Sequence, residues 1–103
     1  MLYRMISLLI DNANKNTTEG YILAKATATS SQLSIIIEDS GCGVDPKEAE
    51  HIFERFVKLD NFKEGLGLGL SLCRMIARRM KGEVILDTTY AGPGARFVIT
   101  LPL

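Results

Sequence analysis

The chain has 103 residues, with 12 basic and 12 acidic side chains, 47% apolar residues and 23% charged ones. That length supports one domain around a single core. The balance of charge removes the broad electrostatic footprint of a nucleic-acid binder, and the apolar runs, a handful of residues each, read as neither a membrane span nor a signal peptide. Cys42 and Cys73 match no metal-binding spacing, so they read as reduced thiols in a cytoplasmic setting.

Leu2, Met5, Ile6, Leu9 and Ala13 recur at three and four residues, the stripe of a helix buried on one side. Met1 falls almost directly on this stripe, which reads as a fragment of a longer protein. Asn14, Asn16, Thr17, Thr18 and Gly20 break the pattern, so the helix is expected to end near residue 15 or 16. Leu8, Asn12 and Lys15 share a neighbouring edge, and the amide of Asn12 beside an apolar stripe needs a partner from the protein or a ligand. Tyr21 to Thr29 and Leu33 to Glu38 read as strands of a hairpin joined at Ser30-Ser31-Gln32.

The second strand runs into Asp39-Ser40-Gly41-Cys42-Gly43, a sharp loop directly after an aspartate. Asp45, Pro46 and Glu48 carry the signals of a helix start, and the spacing of Ala49, Ile52, Phe53 and Phe56 predicts a second helix. Its outer side would carry Glu48, His51, Arg55 and Lys58. A short polar segment, 59–64, precedes Gly65-Leu66-Gly67-Leu68-Gly69-Leu70-Ser71-Leu72. A glycine-rich loop opening a helix offers backbone N–H groups at the positive end of the helix dipole, as a phosphate requires. Read alone, alternating Gly and Leu fits a tightly packed turn equally well. A third helix is expected to Met80, with Arg74, Arg78, Arg79 and Lys81 on a solvated side and Gly82 as its stop. Glu83 to Thr88 and Arg96 to Leu101 complete an α-β-β-α-α-β-β order. That order predicts an α+β fold, a two-layer α/β sandwich with three helices on one face of a mixed, mostly antiparallel sheet.

Four pieces now stand in a fixed order: Asn12-Ala13-Asn14-Lys15, Asp39-Ser40-Gly41-Cys42-Gly43, Phe53-Glu54-Arg55-Phe56, and Gly65-Leu66-Gly67-Leu68-Gly69-Leu70. A fifth, Gly92-Pro93-Gly94-Ala95-Arg96-Phe97, precedes the last strand. Over residues 1–103 the series resembles the catalytic ATP-binding domain of sensor histidine kinases, whose Bergerat fold is shared with DNA gyrase and heat-shock chaperone ATPases. The resemblance implies that Asp39 anchors adenine, with Gly41 and Gly43 letting the backbone approach the ring. It implies Mg²⁺ on Asn12, and Lys15 reaching phosphate. Lys58 stands where many members carry an arginine touching the terminal phosphate, and it keeps the charge but not the fork geometry. Lys15 and Lys58 are thus the catalytic candidates. Gly65, Leu66, Gly67, Leu68, Gly69 and Leu70 would line the phosphates of ATP or ADP.

Some positions depart from the family pattern. Leu8 stands where the kinases carry a second asparagine and the hydrolytic relatives a glutamate base, so direct hydrolysis is disfavoured. Asn16 replaces a common aromatic residue, the lid before Gly65 is short, and the strand expected before the first helix is missing, an N-terminally truncated version of the fold. His51, the single histidine, lacks the surroundings of a phosphoacceptor and reads as an exposed helix residue. The resemblance then implies a monomeric fragment of a homodimeric kinase, in a family whose habit is a membrane anchor with this domain on the cytoplasmic side. Within that kinase it would supply the γ-phosphate to a histidine on a separate dimerisation domain, and a response regulator would receive the phosphoryl in turn. A non-catalytic docking module and a serine kinase of the anti-sigma type are the alternatives.

Overall fold

The computed structural model describes residues 2–17, 19–41, 43–54, 69–90 and 92–103, apart from the side chains of Lys15 and Asn16. Helix α1 spans Leu2–Asn16, strands β1 and β2 span Ile22–Ala28 and Gln32–Asp39, helix α2 spans Gly69–Arg79, and β3 and β4 span Glu83–Leu86 and Arg96–Pro102. The strands form one sheet in the order β1-β2-β4-β3, and each neighbouring pair is antiparallel.

Alternation along the strands explains where the core sits. Ile35 and Ile37 of β2 pair directly with Ile99 and Phe97 of β4, which pair in turn with Val84 and Leu86 of β3. All six are buried, beneath Met5, Leu9 and Ala13 of α1 and Leu70, Cys73, Ile76 and Ala77 of α2. Both stripes anticipated at helical spacing therefore face one side of the sheet, which makes the two-layer sandwich. On β1, Ala24, Ala26 and Ala28 share that side through their pairing with Ile37, Ile35 and Leu33, yet they are exposed. The helix layer stops short of this edge.

Three expectations need correction. The helix anticipated after Asp45 is replaced, within the described residues, by two 3₁₀ turns, Pro46–Glu48 and His51–Phe53. Their bonds run three residues back, from Glu48 N to Asp45 O at 2.8 Å and from Glu54 N to His51 O at 3.0 Å. Asp45 does cap the first turn, accepting from Lys47 N at 2.9 Å, and Ile52 and Phe53 are buried as expected. A three-residue spacing suits 3₁₀ and α geometry alike, so the pattern could not separate them. The described part thus holds two α-helices where three were expected, while the sheet, expected to be mostly antiparallel, is antiparallel at each of its strand pairs.

Helix α2 also ends differently. The left-handed position at its end is Lys81, at φ 64°, and not Gly82. Lys81 N bonds to Arg78 O at 3.0 Å and Gly82 N to Ala77 O at 2.8 Å, the paired bonds of a Schellman ending. Gly82 serves close approach instead: a Cβ there would overlap the carbonyl oxygen of Thr100. Arg74, expected on a solvated face, is half-buried. It pairs with Glu50 at 3.0 Å and Glu83 at 3.2 Å and lies 4.8 Å from the Phe53 ring centroid. Phe53 meets Phe97 edge to face at 6.1 Å, so the 3₁₀ turns are fixed to both layers.

Candidate functional site

Asp39 ends β2 at the point where the chain leaves the sheet. Its N–H donates to Ala95 O at 2.9 Å, which keeps β2 beside the segment leading into β4. Its side chain faces the helix side of the sheet and is only 3% exposed. One oxygen, Oδ1, accepts from Gly41 N at 2.8 Å, a turn that folds the loop back over the carboxylate. Burial raises the Asp39 pKa above the ordinary value, against the N–H groups of Gly41 and Ala95 and the Thr17 hydroxyl, which lower it; adjacent Glu38 adds a smaller upward push.

Glycines make room for this arrangement. Gly94, at φ 81°, packs so closely that a Cβ on it would overlap the Asp39 carbonyl oxygen and lie 2.7 Å from Oδ1. Gly43, at φ 72°, would place a Cβ 3.1 Å from Gly94 O, so two glycines from distant parts of the chain enclose one aspartate. Ser40 ties the same place to the start of β1: its Oγ accepts from Tyr21 N at 2.8 Å, and its own N–H donates to Tyr21 O at 3.1 Å.

The other side of the sheet braces the site. Glu38, buried although it points away from the helices, accepts from Arg96 Nε at 2.9 Å, and Arg96 reaches Asp87 at 3.3 Å. The Arg96 guanidinium lies 4.4 Å from the Tyr90 ring centroid, and the Tyr90 hydroxyl donates to Pro93 O at 3.2 Å. The Tyr21 and Tyr90 hydroxyls stand 3.4 Å apart. This group holds β1, β2, β4 and the Gly92-Pro93-Gly94 loop together immediately behind Asp39.

The sequence candidates divide accordingly. Asp39, Gly41 and Gly43 come together in one loop. Asn12 is buried on α1, with 6% exposure, and Lys15 lies in the last turn of the same helix. Gly69 is the first residue of α2 and Leu70 is buried in the core beneath it. Lys58, Gly65, Leu66, Gly67 and Leu68 lie outside the described residues, as do Arg55, Phe56 and Cys42. His51 is exposed as expected, though in a 3₁₀ turn, and pairs with Glu54 at 3.2 Å. Gly94, Thr17 and the Glu38–Arg96 pair were not singled out as site residues. The Gly-Pro-Gly run did mark Gly94 as a turn, but only the folded chain shows it against Asp39.

The donor set fits a magnesium nucleotide. A buried carboxylate in a glycine cradle suits a planar ring with an exocyclic amine. Among the described residues no three His, Cys, Asp or Glu side chains cluster as a metal cage. A hard cation that keeps its waters and shares phosphate oxygens needs none, and the Asn12 side-chain oxygen is of the right type.

Comparison with known proteins agrees with this geometry. The profile of the histidine kinase-, DNA gyrase B- and HSP90-like ATPases matches residues 1–103. The chain is 37% identical over 100 residues to the sensor protein TorS of Escherichia coli (strain K12), covering 97% of this chain and 11% of that protein. It is 40% identical over 107 residues to the adaptive-response sensory kinase SasA of Crocosphaera subtropica, covering 100% of this chain and 28% of that one. Full-length ShkA, solved in complex with AMPPNP, superposes with a TM-score of 0.85 at 31% identity, over 98% of this chain and 21% of ShkA. The chain thus spans well under a third of these relatives' lengths. With the Asp39 cradle, the two-layer sandwich and a profile match from first residue to last, the chain belongs to the histidine kinase-, DNA gyrase B- and HSP90-like ATPase family.

Proposed function

We propose that this chain is the ATP-binding catalytic domain of a two-component sensor histidine kinase. The observation that carries the reading is Asp39, a carboxylate 3% exposed yet held by backbone N–H groups and crowded by Gly94. A fold retains a buried carboxylate with a raised pKa at a cost, and such groups concentrate at functional sites. Here the carboxylate accepts the adenine amine, while Gly41 and Gly43 admit the ring to the backbone.

Asn12 holds Mg²⁺ through its side-chain oxygen, and Lys15 and Lys58 neutralise phosphate charge. Gly65, Gly67 and Gly69, with Leu66, Leu68 and Leu70, contribute backbone N–H groups to the phosphates, Gly69 being the first residue of α2. Bound Mg²⁺ supplies charge neutralisation across the phosphates. The chain's own residues fix the nucleotide so that the γ-phosphoryl faces an incoming histidine, the positioning that phosphoryl transfer requires. Leu8 offers no base to activate water, which protects ATP from hydrolysis while it waits. The histidine comes from a dimerisation domain of the parent kinase, because His51, exposed in a 3₁₀ turn beside Glu54, lacks the surroundings of a phosphoacceptor. A response regulator aspartate then receives the phosphoryl.

Calorimetric titration of the chain with ATP and ADP, with and without Mg²⁺, tests this beside an Asp39→Ala control. Binding by the wild type and not by the control is expected, with a Mg²⁺-dependent gain for ATP that Asn12→Ala removes. Absence of nucleotide binding at millimolar concentration, in this chain and in a longer one, would replace the kinase reading with a docking module.

A further inference from the structure

Arg74 lies on α2 five residues beyond Gly69, about 7.5 Å along the helix axis. Its side chain is only 15% exposed, and three elements meet on its guanidinium. Nη2 pairs with Glu50, between the two 3₁₀ turns, at 3.0 Å, and Nε donates to Glu83 Oε1 at the start of β3 at 3.2 Å. The guanidinium carbon stands 4.8 Å from the centroid of the Phe53 ring, itself buried. Glu83 is held in turn by Arg78 at 3.2 Å and by the Val84 N–H at 3.0 Å, so its carboxylate is a fixed post.

Apolar packing alone does not specify this junction. Ile52 and Phe53 seat the 3₁₀ turns in the core, and Leu70, Cys73, Ile76 and Ala77 seat α2, but such contact is non-directional. A guanidinium fork is directional, whereas a lysine ammonium is a point charge on a flexible stem. Glu50 is 79% exposed, and a pair open to solvent adds little to folding. What Arg74 contributes is therefore alignment more than stability. The two stretches that it joins flank residues 55–68: the turn ending at Phe53 and the helix beginning at Gly69. We propose that Arg74 is a positioning residue for the phosphate end of the nucleotide site, holding the first turn of α2 in register with the 3₁₀ turns. The Asp39 carboxylate is bonded to Gly41 and its backbone to Ala95, outside this set of contacts, so the two ends of the nucleotide respond separately.

The binding comparison rests on the nucleotide reading; the exchange comparison does not. Arg74→Met keeps the stem and removes the guanidinium, and Arg74→Lys keeps the charge without the fork. Amide exchange in the nucleotide-free protein is followed at Phe53 and Glu54, whose N–H groups bond Glu50 O and His51 O, and along the β2–β4 ladder. Exchange at Phe53 and Glu54 is expected to rise about tenfold in Arg74→Met and less in Arg74→Lys, with the ladder unchanged. Calorimetry with Mg-ATP and with AMP is run on the same samples. ATP binding should weaken about tenfold in Arg74→Met while AMP binding stays at the wild-type value, because misalignment at α2 is felt by the outer phosphates. Should Arg74→Met unfold the chain, Glu50→Gln carries the same comparison. An unchanged ATP-to-AMP ratio, or wild-type exchange at Phe53 and Glu54, in a folded variant overturns the proposal. Equal loss of both nucleotides with faster exchange throughout marks a merely structural role and overturns it too. Faster exchange at the turns in a chain that binds neither nucleotide upholds the Arg74 junction and defeats the nucleotide reading instead.

Discussion

Gly94 and Asp39 are 55 positions apart in sequence, and a single methyl group on the glycine would overlap the aspartate's carbonyl oxygen. Gly94→Ala must therefore move β2 or the loop before β4, and it also places a side chain at φ 81°. The left-handed conformation alone costs about 1–2 kcal/mol in a residue with a Cβ. Thermal melting should show a loss of at least that size, with a larger loss in ATP affinity than any exposed loop substitution produces. A variant with wild-type melting and binding would mean that this loop is free to move.

Asp39→Asn separates stability from binding. The amide keeps an oxygen for the Gly41 N–H and removes a carboxylate whose ionisation burial opposes. The variant should melt above the wild type at neutral pH while losing ATP binding by two orders of magnitude or more, on the order expected for a buried charge-assisted bond. Parallel melting and calorimetry check both halves.

Stability against pH has opposing contributors. The pKa of Glu83 is lowered from its ordinary value: burial pushes up, but the Val84 N–H, Arg74 and Arg78 together outweigh it. The Thr89 hydroxyl and N–H, then Arg96, lower that of Asp87. A depressed carboxylate stabilises above its unfolded value, and this is lost as pH falls through the folded one. Asp39 is raised, so its penalty is relieved as pH falls through its folded value. Glu83→Gln should flatten the acid limb of a Tm–pH curve, and Asp39→Asn should steepen it.

Lys81 sits where glycine is usual. Lys81→Gly relieves the left-handed backbone at φ 64°, against a more flexible unfolded chain, and should stabilise by about 0.5–1 kcal/mol. Gly82→Ala should destabilise, because its Cβ would meet the Thr100 carbonyl. Chemical denaturation of the pair gives opposite signs if the two neighbours divide the work in this way.

Cys73 is fully buried on α2, and burial pushes its thiol up to about 12. In a Cys42→Ser background, a disulfide reagent at neutral pH should label Cys73 only as fast as the domain opens. Rapid labelling of the folded domain would place this helix at the surface.

The helical stripes and the strand alternation were legible because burial on one face imposes a period on the residues themselves, and Ile35 and Ile99 are both buried on that face. The Asp39 loop was legible too, since two glycines after an aspartate constrain the backbone locally. Three features were not. The 3₁₀ turns share their spacing with a helix. Arg74 carries the same charge as its exposed neighbours, and only the approach of Glu50, Glu83 and Phe53 buries it. Gly94 meets Asp39 from a separate element, and a contact between distant segments leaves no periodicity to read.

Strand β1 has a consequence for motion. Its side chains bury little, so hydrogen bonds to β2 are its main hold, and peeling it away exposes little apolar surface. Such an edge opens more readily than the rest of the sheet, and its amides should exchange with solvent first. Yet its first pair is Ile22 with Asp39, and Tyr21 just before it is bonded to Ser40. Each opening that reaches this end releases the carboxylate loop from one side. Any molecule that requires the loop closed will therefore slow exchange along β1, far beyond the residues it touches, and the least protected strand becomes the reporter of the site.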